Sequence, residues 1–201
     1  MSHSIDRPIH LFVSGTPDLE PEREIIGQTV ARLPVSLGWD IARTPRQGEP
    51  LQPALDAVAA SDIYLFLLGR DIAAPAGVEW DLALRSGKRP LALMKDALRT
   101  PAALAFVRET RDRWTLFTDD RELTEIVQAA LVQHLLEGAL QHGISIVEYE
   151  ALAALAEGGA AAGGVSEQRL EQLQASGAGG GGVILGPYAM PPGGVPVGED
   201  L

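Results

Sequence analysis

With 201 residues, the chain has room for one domain with a sizeable core plus an appendage, and too few for two full α/β domains. A net charge of −11 sets the protein against phosphate backbones and anionic lipid, so neither a nucleic-acid nor a membrane partner is expected. The absence of cysteine excludes a disulfide, a thiolate metal site and a cysteine nucleophile, while 22 glycines and 14 prolines exceed what a compact core requires.

Met1 to Arg7 is polar and carries no signal-peptide apolar stretch, which together with the missing cysteines points to a soluble, cytoplasmic protein. Ile9 to Val13 is a short apolar run closed by Ser14-Gly15-Thr16-Pro17, the pattern of a buried strand entering a tight loop. Asp18 is a candidate cap for the next helix, Pro21 fits its first turn, and Ile25, Ile26, Val30 and Leu33 supply its apolar stripe up to Pro34. Trp39 to Arg43 alternates as an edge strand does, and Leu51, Leu55 and Val58 mark a short helix. Asp62 to Leu68 is the most hydrophobic run of the chain and the choice for the centre of the sheet. A loop from Gly69 to Ala76 leads to a helix from about Gly77 to Ser86, closed by Gly87. Pro90 to Met94 gives a fourth strand, Thr100-Pro101 opens a helix, and Trp114 to Phe117 is the fifth strand. Leu123, Ile126, Val127, Ala130, Leu131 and Leu135 then form an amphipathic helix capped by Asp119 or Asp120.

Five strands alternating with helices imply a three-layer, doubly wound, five-stranded parallel sheet of the α/β class. The flavodoxin-like order 2-1-3-4-5 puts the topological switch point between strands one and three, so a ligand is expected over the loops Ser14 to Asp18 and Gly69 to Gly77. This domain is read as residues 1–140, followed by a short helical extension (141–176) and a Gly/Pro-rich tail (177–201). In the extension, Ser145 and Glu148 form a capping box for a helix to about Glu157, and Ser166 to Ala175 is a second helical candidate. Gly158 to Gly164 and Gly177 to Gly182 read as linkers, and Val183 to Val197 as a short docking segment. His3, His10, His134 and His142 show no ligand spacing, so no metal and no cofactor are expected.

Two blocks carry a family resemblance. Val13-Ser14-Gly15-Thr16-Pro17-Asp18-Leu19-Glu20-Pro21-Glu22-Arg23 resembles the strand-loop-helix signature of the domain of unknown function 4062 family. Ser61-Asp62-Ile63-Tyr64 through Leu68-Gly69, followed by Glu79-Trp80-Asp81-Leu82-Ala83 and Gly87-Lys88-Arg89-Pro90, is similar to its second half and, more loosely, to TIR domains and nucleoside 2-deoxyribosyltransferases. The resemblance covers the first two thirds of the chain and implies a flavodoxin-like fold. In enzymatic relatives it implies cleavage of an N-glycosidic bond, with the glutamate at the Glu79 position acting on the ribose. In other members it implies a non-catalytic module of a bacterial defence or signalling protein.

Cleaving a ribose to nicotinamide bond creates an oxocarbenium-like centre that one carboxylate can stabilise or trap. Nicotinamide leaves neutral, whereas a nucleoside base must be protonated as it departs, and Asp71 is the candidate acid for that case. Ser14, Gly15 and Thr16 offer hydroxyls and free N–H groups to a phosphate or ribose, with Gly69 and Gly77 across the switch point. Trp80 is placed to stack on a base. The plainer alternatives are an acid favoured by a helix dipole at Glu79, a simple turn at Ser14 to Thr16, and a packing role for Trp80. Arg23 is expected to pair with Glu20, Glu22 or Asp18. Two functions follow: a module that senses a nucleotide or nucleoside, or assembles with a protein partner or itself, and an NAD glycohydrolase or deoxyribosyltransferase-like N-glycosidase using Glu79.

Overall fold

Strands buried on both faces must be apolar throughout, and the two central runs of this chain meet that demand. The computed structural model describes residues 8–110 and 114–160. In it β1 (Ile9–Gly15), β2 (Trp39–Arg43), β3 (Ile63–Leu68), β4 (Leu91–Lys95) and β5 (Thr115–Phe117) form one sheet of order β2-β1-β3-β4-β5. Every pairing is parallel, which gives a doubly wound, flavodoxin-like α/β arrangement flanked by helices. β3 is central and almost wholly buried, whereas β2 at the edge keeps an exposed pair, Asp40 and Ile41.

A short 3-10 turn (Pro17–Leu19) precedes α1 (Glu20–Ala31), and the order continues with α2 (Gln52–Ala60), α3 (Ala74–Arg85), α4 (Pro101–Thr110), α5 (Asp120–Glu137), α6 (Ala139–His142) and α7 (Ile146–Ala160). Side chains alternate across the strands, so the sheet has two cores. Leu11, Val13, Leu65, Leu67 and Leu93 pack with Ile26 and Val30 of α1 and with Leu123, Val127 and Leu131 of α5. Phe12, Tyr64 and Phe66 face the other way, into an aromatic cluster with Trp80, Phe106 and Trp114.

Several helix ends follow the expected chemistry. Asp119 caps α5 by accepting the Glu122 N–H (2.9 Å), and Thr100 accepts the Ala103 N–H (3.2 Å) at the start of α4. Gly87 closes α3 at φ 72°, with Gly87 N–H bonded to the Leu84 carbonyl and Lys88 N–H to that of Ala83. Ser145 and Glu148 form the reciprocal box that opens α7.

Other expectations are corrected. Asp18 does not cap α1. It lies in the 3-10 turn, where it accepts the Thr16 hydroxyl, and α1 has no side-chain cap. α3 begins at Ala74 rather than Gly77, since Pro75 in the first turn fixes helical φ without any polar cap. α7 continues through Gly158 to Ala160, and its Leu152 is fully buried in the α1/α5 core, so this helix shares the core of the sheet domain. The second helical candidate, the Gly177 to Gly182 linker and the Val183 to Val197 segment lie outside the described residues. No helix among the described residues is long and apolar enough to cross a membrane.

Phe66 contacts three other rings, so Phe66→Ala should lower the unfolding free energy by roughly 3–5 kcal/mol in a urea titration.

Candidate functional site

The C-terminal ends of β1 and β3 bring together the polar residues that the core otherwise excludes. Ser14 has the parity of Phe12, so its side chain points to the α3 face of the sheet. There its hydroxyl donates to Glu79 Oε2 at 2.5 Å. Thr44, just past β2, donates to the same oxygen at 2.7 Å and accepts the Gly15 N–H at 3.0 Å. Glu79 thus ties β1, the end of β2 and α3 to one point. Its exposure is 0%, and Ser14 is equally enclosed.

Only one carboxyl oxygen is satisfied. Glu79 Oε1 is buried and finds no hydrogen-bond partner among the described residues, and the buried Tyr64 hydroxyl and Arg23 Nε share that condition. Burial pushes the Glu79 carboxyl above its ordinary value, against the opposing pull of Ser14, Thr44 and the Arg23 guanidinium. Burial also drives the Tyr64 phenol well above its usual range, with the Glu79 charge adding to the effect and Ser14 opposing it. Arg23 is paired as expected, with Glu20 (2.8 Å), and it also donates to the Gly15 carbonyl. Glu20 holds Arg46 too (2.6 Å), and these two guanidinium bonds lower its carboxyl to about 2.

On the α1 side of the same strand ends the loops approach each other closely. A Cβ on Gly69 would stand 2.7 Å from Asp18 Oδ2, and one on Gly15 would stand 3.0 Å from the Leu67 carbonyl oxygen. The glycines at the switch point therefore allow close backbone approach.

The sequence-derived residues divide accordingly. Ser14, Gly15 and Glu79 are brought together; Thr16 (5% exposed) and Gly69 lie beside Asp18. Gly77 is not a loop residue: its N–H bonds to the Ala73 carbonyl inside α3. Trp80, 3% exposed, stacks on Trp114 at 5.6 Å and meets Phe66 edge-on at 5.0 Å, so it packs rather than faces a ligand. Asp71 is exposed and accepts from Thr100 Oγ1 (2.6 Å) and the Ile72 N–H (2.8 Å), bonds that lower its carboxyl and suit it poorly to donating a proton. Glu79 falls in the second turn of α3, beyond the first-turn dipole that the plainer reading invoked.

Thr44 and Tyr64 are the members that the motif reading missed. Thr44 carries no local signal, being 30 residues from Ser14 and delivered by the β1–β2 pairing. The structure also pairs His134 and His142, whose ring centroids are 5.6 Å apart across Gly138. Burial and the second ring hold the pKa of the His134 imidazole below its ordinary value. No group of three or more potential ligands among the described residues is placed to hold a metal ion.

The fold and site define a flavodoxin-like α/β domain with an enclosed carboxyl at its switch point. Comparisons with protein-family models, curated proteins and solved structures find no match.

A carboxyl raised by burial stabilises the fold below about pH 4.5, where folded and unfolded forms are both protonated, and that contribution is lost as pH rises through the folded value. Glu79→Gln should therefore raise the melting temperature by a few degrees at pH 7–8, with the gain shrinking towards about pH 4.5 in a calorimetric series. Gly15→Ala should destabilise by about 1–3 kcal/mol in chemical denaturation, because its new methyl meets the β3 backbone.

Proposed function

We propose that this chain is a nucleotide-sensing or protein-assembly module of a bacterial defence or signalling system, built on a TIR-like domain. The observation that carries the reading is the complete enclosure of Glu79, whose one bonded oxygen joins β1, the end of β2 and α3. A carboxyl with no exposed surface touches no substrate in this conformation. What it can do is link three elements at the point where doubly wound sheets receive ligands. A ligand that shifts the Ser14 end of β1 would change that linkage, which is how binding becomes a conformational signal. The two sequence blocks similar to the domain of unknown function 4062 family support the same reading.

A second reading, an NAD or nucleoside N-glycosidase, is favoured by one specific feature: the vacant hydrogen-bonding capacity of Glu79 Oε1, beside Ser14 and Tyr64. In that chemistry Glu79 would face the ribose carbon once its enclosure opened, and the departing nicotinamide would need no acid.

The readings separate in one assay. Protein incubated with NAD, nucleotides and nucleosides is expected to show ligand-dependent thermal shifts without release of nicotinamide or base. Release that Glu79→Gln abolishes would replace the module by the enzyme. Asp71→Asn should leave the result unchanged, given the commitment of Asp71 to Thr100.

A further inference from the structure

Helices that follow parallel strands run back antiparallel to them, so the C-terminal end of α5, with α6 and the start of α7, lies at the opposite end of the sheet from Glu79. Asp62, at the N-terminal end of β3, contributes to the electrostatics of His134 there. Between these helices is an apolar groove of about 520 Å³ lined by Leu136, Leu140, Ile144, Ile146 and Tyr149, with Glu137 in its wall. Leu140 is 99% exposed, Ile146 78% and the neighbouring Val147 76%, an apolar cluster of the kind that marks an interaction surface.

The groove is firmly built. α7 is anchored on its inner side by Leu152 in the core, and at its start by Glu148, which accepts from Ser145 and from the Ser36 N–H at 2.7 Å. These bonds lower the Glu148 carboxyl to about 2 and keep it ionised.

Charge selects the occupant. From residue 122 to residue 160 the chain carries six glutamates and no lysine or arginine, and three of these glutamates stand at this end: Glu137 in the groove wall, and Glu148 and Glu150 near the start of α7. A second copy seated symmetrically on this face would set glutamates against glutamates, and an anionic membrane would be repelled in the same way. A segment with apolar anchors on one side and basic groups on the other satisfies both the groove and its rim.

We infer that the α5–α7 groove is a docking site for a lysine- or arginine-bearing amphipathic segment of a partner protein, whose apolar side chains enter beside Leu140 and Ile146 while its basic groups face Glu137 and the glutamates at the start of α7. The inference is independent of what Glu79 does.

The test uses the full chain and two fluorescent synthetic helical peptides with leucine at positions i, i+3, i+4 and i+7, one with lysine and one with glutamate at the remaining positions. Fluorescence anisotropy should show saturable binding of the lysine peptide alone, weakened roughly 10-fold or more by Ile146→Asp or Leu140→Asp, and weakened several-fold by salt raised from about 50 to 500 mM. Both variants alter exposed side chains, and unchanged melting temperatures confirm that they fold. The inference is overturned if the lysine peptide does not bind, if both peptides bind alike, or if the variants bind as well as the original chain. It is also overturned if sedimentation shows the protein self-associating through this face, with Ile146→Asp dissolving the assembly.

Discussion

The bond from Ser14 to Glu79 is the constraint on which the switch-point end of the molecule depends. Together with the Thr44 hydroxyl it makes one carboxyl oxygen the meeting point of β1, the end of β2 and α3. A carboxyl taken out of water loses its hydration, and two hydroxyl donors on one oxygen restore only part of it. The other oxygen, unpaired and buried, carries a cost of order 1–3 kcal/mol. Packing alone does not require such a group, since a neutral residue of similar size would fill the space at lower cost. Buried acids of this kind, held near a strand end by hydroxyls, are where function concentrates.

The other face of the same strand ends is closed by backbone approach. Gly15 and Gly69 let β1, β3 and the Asp18 turn approach until no side chain would fit, and Arg23, paired with Glu20, caps the Gly15 carbonyl from α1. The closed arrangement and the open groove at α5–α7 lie at opposite ends of the sheet. A ligand event at one end and a partner at the other would thus share the same central strands.

The parallel sheet was legible in the sequence because strands buried on both faces, such as Ile63 to Leu68, read as unbroken apolar runs. The central place of β3 follows from that apolar run, whereas the order 2-1-3-4-5, which the structure has, is one choice among doubly wound orders that alternation alone does not fix. The start of α3 was not legible, because no Ser, Thr, Asp or Asn stands at its cap and Gly77 imitates a loop. That shift of three residues is also why Glu79 looked like a first-turn acid. Trp80 was misplaced for a related reason: burial in α3 recurs at Ala76, Glu79, Trp80 and Ala83, so the ring and the carboxyl both face inward, into different surroundings. Thr44 and the His134–His142 pair escaped because their partners are made neighbours by strand pairing and by a four-residue helix, neither of which leaves a local pattern.

The enclosure of Glu79 is tested most directly by a carbon-13 NMR titration of the glutamate side-chain carboxyls, with the Glu79 resonance assigned by its absence in Glu79→Gln. The account predicts that Glu79 titrates above the ordinary value of 4.5, as burial requires. A carboxyl that titrates at or below 4.5, as a solvated glutamate does, would contradict it.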